Sequence, residues 1–122
     1  MFEVSVEYTF AAGHALRDYK GKCENIHGHN YKLRVTVEGE ALDATGLLVD
    51  FGDMRDAIKS LVHGVDHQFL NDLPPFDRIN PSAENLARYF CDSLKPAIQK
   101  DGLRIQAVTV WETDTSSATF RP

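Results

Sequence analysis

The chain has 122 residues, of which 43% are hydrophobic and 25% charged, a balance typical of one globular domain that spans residues 1–122. Its formal net charge of -5 argues against a nucleic-acid-binding protein, because nucleic-acid surfaces need clustered lysine and arginine side chains to displace counterions. The sequence contains no run of about 18 apolar residues and its N-terminus lacks a signal-peptide pattern, so we expect a cytoplasmic protein without a membrane span.

The first part of the chain predicts two β-strands. Apolar and polar residues alternate from Phe2 to Phe10 and again from about His29 to Gly39, which is the period of a strand with one buried face. The segment between them, from Gly13 to Gly28, is rich in glycine, lysine and polar residues and is predicted to be a loop.

Two helices are predicted in the middle of the chain. Apolar residues at helical spacing from Phe51 to His63, followed by Gly64, indicate the first helix. The segment Asn80 to Glu84 is typical of the start of a second helix, with a capping residue and a proline in the first turn. Pro96 is expected to end this helix, and Cys91 is expected to lie in its buried face.

The C-terminal stretch predicts a β-hairpin. One strand runs from about Leu103 to Glu112, the turn contains Asp114 to Ser116, and the other strand carries Ala118 and Phe120. The order β-β-α-α-β-β predicts an α+β fold, in which a four-stranded antiparallel sheet carries two helices on one face. Such a sheet has two open edges, so we expect a homo-oligomer in which neighbouring subunits cover them.

Three histidines are the strongest candidates for metal ligands. His27 and His29 share the odd numbering of the apolar residues in the second strand, so both imidazoles are expected on its buried face. His14 has the even numbering of the apolar residues in the first strand, and a hairpin would bring it to the same end of the sheet. Three imidazoles with an open fourth position form a catalytic zinc site, although each histidine alone is more typical of an ordinary core or surface residue.

Further residues are candidates for proton transfer or substrate binding. Cys23, four residues before His27, is placed to act as a thiolate base beside a metal or, alternatively, as a fourth, structural zinc ligand. Asp66 and His67 offer an imidazole oriented by a carboxylate, or an ordinary polar loop pair, since adjacent residues rarely face each other. Glu112 can accept two parallel N–H donors from the amidine edge of a pterin or guanine, or be a surface carboxylate.

Several separated motifs resemble the family of 6-pyruvoyl tetrahydropterin synthases and 6-carboxytetrahydropterin synthases over nearly the whole chain. The most specific is Cys-x3-His-Gly-His, which is present as Cys23-Glu24-Asn25-Ile26-His27-Gly28-His29. The supporting motifs are Phe10-Ala11-Ala12-Gly13-His14, Val49-Asp50-Phe51-Gly52-Asp53, Val65-Asp66-His67-Gln68-Phe69-Leu70-Asn71, Asn80-Pro81-Ser82-Ala83-Glu84-Asn85 and Trp111-Glu112-Thr113.

This resemblance implies a zinc-dependent lyase with the tunnelling fold. Sheets from several subunits would join into a barrel, as a trimer or a dimer of trimers, with active sites at the subunit interfaces. The residue roles that it implies are zinc ligation by His14, His27 and His29, a base role for Cys23, proton transfer by Asp66 and His67, and anchoring of the pterin by Glu112.

The substrate implied by the resemblance is 7,8-dihydroneopterin triphosphate. The short chain and the Gly21-Lys22-Cys23 segment are similar to members that release triphosphate and acetaldehyde and leave 6-carboxytetrahydropterin for queuosine synthesis. Pyruvoyl members release only triphosphate, and a third branch uses Glu-x-x-His-Gly-His, matched here by Glu24, to form 6-hydroxymethyl-dihydropterin for folate. A zinc-stabilised pterin-binding module without turnover is an alternative of another class, against which Cys23, Asp66 and His67 argue.

Overall fold

The computed structural model describes residues 1–19, 21 and 24–122. Within these residues, two helices and five strands follow one another, and a short 3₁₀ turn at Leu70–Asp72 comes after the third strand. The elements are β1 (Phe2–His14), β2 (His27–Gly39), α1 (Phe51–Val62), β3 (Gln68–Phe69), α2 (Ala83–Ile98), β4 (Arg104–Thr113) and β5 (Ser116–Phe120).

The strands form one mixed sheet in the order β3-β1-β2-β4-β5. The predicted α+β fold with two helices is confirmed, but the sheet has a fifth strand that the sequence analysis missed. This strand, β3, pairs in parallel with β1 through Ala12 with Gln68 and Gly13 with Phe69. Two residues are too few to show an alternating pattern, so only the tertiary contact with β1 reveals it.

The β1–β2 hairpin is longer than predicted. The antiparallel ladder includes Gly13 opposite Gly28 and His14 opposite His27, so both strands continue into the segment that was predicted to be a loop. Glycine is a poor strand former on its own, but here each glycine has a backbone partner across the ladder. The extension carries two of the histidines into regular strand geometry.

Helix α2 also differs from the prediction at both ends. Its N-cap is Ser82, whose hydroxyl accepts a hydrogen bond from the amide of Asn85, so Pro81 precedes the helix and does not lie in its first turn. Pro96 lies inside the helix, which continues to Ile98. Ile98 is buried in the core, and this packing keeps the last turn helical although Pro96 donates no backbone hydrogen bond.

Both helices cover the face of the sheet that carries the even-numbered residues of β1 and the odd-numbered residues of β2. Phe10 stacks on Tyr31 with ring centroids 5.0 Å apart, and Phe90 of α2 meets Phe10 edge-on at 5.7 Å. Cys91 is fully buried beside them, as predicted. Within the described residues, neither helix is long and apolar enough to cross a membrane.

Candidate metal centre and active site

The hairpin register brings three histidine side chains together at one end of the sheet. His14 lies directly opposite His27, and His29 lies two residues further along β2, opposite Ala12. The Nε2 atom of His14 is 2.9 Å from that of His27 and 3.1 Å from that of His29. The predicted common face is therefore confirmed, and the three-histidine group can hold a metal ion.

Backbone carbonyl groups determine which nitrogen faces the centre of this group in two of the three rings. The Nδ1 atom of His14 is 2.7 Å from the carbonyl oxygen of Pro81, and that of His27 is 2.7 Å from the carbonyl oxygen of Asn25. Because a carbonyl oxygen only accepts, both Nδ1 atoms carry the hydrogen and both Nε2 lone pairs point inward. Converging lone pairs repel one another, and a cation between them removes this repulsion.

The spacing of these nitrogens also fits a metal. Tetrahedral bonds of about 2.1 Å place two ligand nitrogens about 3.4 Å apart, slightly more than the separations between the His14 nitrogen and its two neighbours. Burial lowers the pKa of His14, only 1% exposed, and that of His29, while Glu112 acts in the opposite direction on both. Both rings are therefore neutral at pH 7, as metal ligation requires.

Tyr31 is a neighbour of the histidine group that the sequence analysis placed only in the core. Its hydroxyl oxygen is 3.2 Å from Nδ1 of His14, and the side chain is fully buried. Burial raises the pKa of Tyr31 well above its usual range, so its hydroxyl stays neutral. The signal was present in the sequence, because Tyr31 follows His29 by two residues and shares its face.

Asp66 and His67 form a direct pair, which is the first of the two arrangements that the sequence analysis left open. His67 has a left-handed backbone with φ +59, and its Nδ1 lies 2.8 Å from Oδ1 of Asp66. The same oxygen accepts a hydrogen bond from the amide of Ala11 at 3.0 Å. This backbone bond, followed by the contact with His67, lowers the pKa of Asp66, which is therefore ionised at neutral pH.

One residue of the Asp66–His67 pair and one residue of the histidine group line the same groove. His29 and His67 both line a groove of about 580 Å³, together with Ile26 and Phe69. The His67 side chain is 80% exposed, so it is available to a molecule in the groove. Glu24 is exposed, and Cys23, predicted as the base, lies outside the described residues.

Glu112 lies beside the histidine group and not on an isolated part of the surface. Its Oε1 atom is 3.7 Å from Nε2 of His14, and the side chain is 30% exposed. The carboxylate lines a pocket of about 530 Å³ between the start of α2 and strand β5. Other residues that line this pocket are Ser82, Ala83, Glu84, Ser117 and Thr119.

Comparison with known proteins agrees with this arrangement. The profile of the family described as 6-pyruvoyl tetrahydropterin synthase matches residues 3–122. The chain belongs to this family. It is similar to the 6-carboxy-5,6,7,8-tetrahydropterin synthase of Bacillus subtilis, with 35% identity over 99% of this chain and 86% of the relative. Its similarity to the human 6-pyruvoyl tetrahydrobiopterin synthase is 33%, over 98% of this chain and 90% of the human protein.

A solved structure confirms the fold. The 6-pyruvoyl tetrahydropterin synthase of Caenorhabditis elegans superimposes with a TM-score of 0.85 at 30% identity, covering 100% of this chain and 97% of that one. The tunnelling-fold architecture predicted for the single chain is therefore confirmed, and the chain is an enzyme of this family. Assembly into an oligomeric barrel stays a prediction.

Proposed function

We propose that the chain is a zinc-dependent 6-carboxy-5,6,7,8-tetrahydropterin synthase. It would convert 7,8-dihydroneopterin triphosphate to 6-carboxytetrahydropterin, with release of acetaldehyde and triphosphate, for queuosine synthesis. The observation that carries the proposal is the convergence of three imidazole Nε2 atoms next to the Glu112 carboxylate. A candidate metal site and a candidate anchor for an amidine ring thus lie side by side.

Zinc held by His14, His27 and His29 would supply a Lewis acid that makes the hydroxyl groups of the substrate side chain more acidic. Glu112 accepts hydrogen bonds from the two N–H groups on the amidine edge of the pterin and so orients the ring. This carboxylate is 3.7 Å from Nε2 of His14, so the proposed anchor and the proposed metal ligands belong to one site.

The protein's own acid and base groups would then move the protons. Cys23, four residues before His27, removes a proton from the substrate side chain as a thiolate. The Nδ1–H of His67 donates to Asp66, which leaves Nε2 of His67 free to accept and return a proton. Asp66 holds the imidazole in this tautomer and stabilises its protonated form.

Two other products are possible from the same site. The pyruvoyl product is favoured by the similarity to the human enzyme, and the hydroxymethyl product by the exposed Glu24 three residues before His27. Release of acetaldehyde distinguishes the carboxy route from the pyruvoyl route, and Cys23→Ala and Glu24→Ala distinguish the carboxy route from the hydroxymethyl route. We expect the carboxy product to require Cys23, and any minor hydroxymethyl product to require Glu24. Normal carboxy product from Cys23→Ala would mean that the base has been assigned wrongly.

The metal assignment is tested by zinc analysis of the purified protein. We expect about one zinc per chain in the native protein and loss of the zinc in His27→Ala, because two imidazoles do not retain the ion. The matched control is His63→Ala, which removes an exposed histidine at the end of α1 that is not one of the three in the group. Full zinc retention in His27→Ala would refute the metal assignment.

The zinc content of Cys23→Ala separates the two roles considered for this cysteine. A base leaves the three-histidine site intact, so zinc stays bound. A structural fourth ligand would instead release the zinc and destabilise the fold, because structural zinc contributes directly to folding free energy. We expect zinc retention with loss of turnover by about 10²–10⁴-fold, the usual effect of removing a general base.

A further inference from the structure

Two asparagine side chains bind the segment that leaves β1 after His14. The Oδ1 atom of Asn71 accepts from the amide of Ala15 at 2.9 Å, and its Nδ2 donates to the carbonyl of Ala15 at 2.8 Å. Asn80 makes the same two bonds with Arg17, at 2.8 and 3.0 Å. Each side-chain amide therefore pairs with the backbone as a neighbouring strand would.

Arg17 links the segment after His14 by hydrogen bonds to the chain between β3 and α2. Its guanidinium group donates to the carbonyl oxygens of Phe76 at 2.7 Å, Ile79 at 3.2 Å and Asn71 at 3.3 Å. Charged donors make stronger hydrogen bonds to carbonyl groups than neutral donors do. The segment after His14 and the loop that ends at Asn80 are thus held together along their length.

The residues on both sides of Pro81 are fixed as well. The Nδ2 of Asn85 donates to the carbonyl of Asn80 at 2.8 Å, and Ser82 caps α2. The proline ring fixes φ of Pro81, and the N-cap holds Ser82 on the other side of the Pro81 carbonyl, so together they limit how far this carbonyl can turn. This carbonyl is the group that accepts from Nδ1 of His14 at 2.7 Å.

From these contacts we infer that Asn80 is a positioning residue of the histidine metal centre. Its amide bridge to Arg17 joins the chain three residues after His14 to the residue just before Pro81. The bridge therefore holds the Pro81 carbonyl against the His14 ring and keeps the Nε2 lone pair directed at the centre. This inference rests on the metal site proposed above, and it adds a residue that contacts neither the metal nor the substrate.

A purely structural role for Asn80 makes a different prediction from a positioning role. Loss of its two hydrogen bonds would lower stability in either case, so stability alone does not decide. The matched control is Asp50→Ala, which removes two hydrogen bonds, to the amides of Gly52 and Asp53, at the start of α1. Loss of this helix cap destabilises the fold without touching the histidine group.

The experiment measures zinc affinity by competition with a chromogenic chelator, at a temperature where every variant is fully folded by circular dichroism. We expect Asn80→Ala to bind zinc about tenfold more weakly than the native protein, the lower end of the effect of losing a supporting contact to a metal ligand. Asp50→Ala should match the native affinity. Cobalt(II) in place of zinc should give an altered visible spectrum in Asn80→Ala alone, since its bands report ligand geometry.

The outcomes separate this inference from the metal assignment. If the native protein binds no zinc, the metal assignment fails. If the native protein binds zinc and Asn80→Ala binds it equally, with an unchanged cobalt spectrum, the positioning role of Asn80 is refuted and the metal site stands. Should Asn80→Ala not fold, Asn80→Asp decides, because it keeps the acceptor for the Arg17 amide and loses only the donor to the Arg17 carbonyl. Weaker zinc binding in Asn80→Asp supports the inference, and native affinity overturns it.

Discussion

Replacement of Glu112 by glutamine tests the proposed pterin anchor. Glutamine has nearly the same shape, but one of its two terminal groups is a donor. A carboxylate can accept from both N–H groups of the amidine edge, whereas glutamine accepts from one and directs its own N–H toward the other. We therefore expect Glu112→Gln to weaken pterin binding while the protein stays folded.

The expected loss follows from these contacts. One charge-assisted hydrogen bond, with a net value of about 1.5–3 kcal/mol, is lost, and a donor of the ring is left without a partner at about 1–3 kcal/mol. Because the Glu112 side chain is 30% exposed, water can form some of the lost hydrogen bonds, and we expect a total loss of binding free energy of about 2–4 kcal/mol. At 1.4 kcal/mol for each factor of ten, affinity should fall about 30-fold to 700-fold.

The assay is fluorescence titration with a pterin that lacks a side chain, so that the metal does not contribute to affinity. Glu84→Gln is the matched control, because it removes the same charge from another residue that lines the pocket. Because Glu84 is an exposed charge, Glu84→Gln should change pterin affinity by no more than about fivefold. Equal effects of the two substitutions would show that only the charge of the pocket matters and would refute the paired-acceptor role of Glu112.

Three further predictions concern the core, the thiol and the assembly. Phe90→Ala should lower the free energy of unfolding by about 3–5 kcal/mol in urea titrations, because Phe90 is fully buried against Phe10; a loss below about 1 kcal/mol would contradict this packing. The Cys91 thiol should react with an aromatic disulfide reagent only after unfolding, since burial raises its pKa and shields it from the reagent. The measurement uses Cys23→Ala, in which Cys91 is the one remaining cysteine, and rapid reaction of the folded variant would contradict the prediction. Light scattering at micromolar concentration should find a closed oligomer, because β3 and β5 leave both sheet edges open. A stable monomer would refute the interfacial active site.

Periodic patterns made much of this fold predictable. The alternation in β1 and β2 gave the buried face of each strand, and the parity of His14, His27 and His29 placed all three on it. Such patterns arise because one side of each strand must be apolar, so they report a requirement of the whole fold.

Features that depend on contacts between distant segments were not predictable in the same way. The pairing of β3 with β1 involves only two residue pairs, and Pro96 stays helical because Ile98 packs in the core. The contact between Asp66 and His67 requires a left-handed backbone at a residue that rarely adopts one. Local sequence carries no signal for these choices, because the rest of the fold determines them.

The contacts that hold the candidate metal ligands in place were not predictable from the sequence either. The sequence analysis identified His14 as a ligand candidate, but not the Pro81 carbonyl or the Asn80 bridge that orients its ring. Pro81 lies 67 residues from His14 along the chain, and a backbone carbonyl leaves no mark in the sequence. Residue types predict which side chains bind, whereas the fold shows what holds them in place.

The central claim is tested most directly by the products formed from 7,8-dihydroneopterin triphosphate. The zinc-loaded protein is incubated with this compound, and the pterins are separated by chromatography while acetaldehyde and triphosphate are measured in the same sample. We predict 6-carboxytetrahydropterin with one equivalent each of acetaldehyde and triphosphate, and none of these from His27→Ala. Recovery of the unchanged substrate from the zinc-loaded native protein would contradict the account, and would instead indicate a pterin-binding protein without turnover.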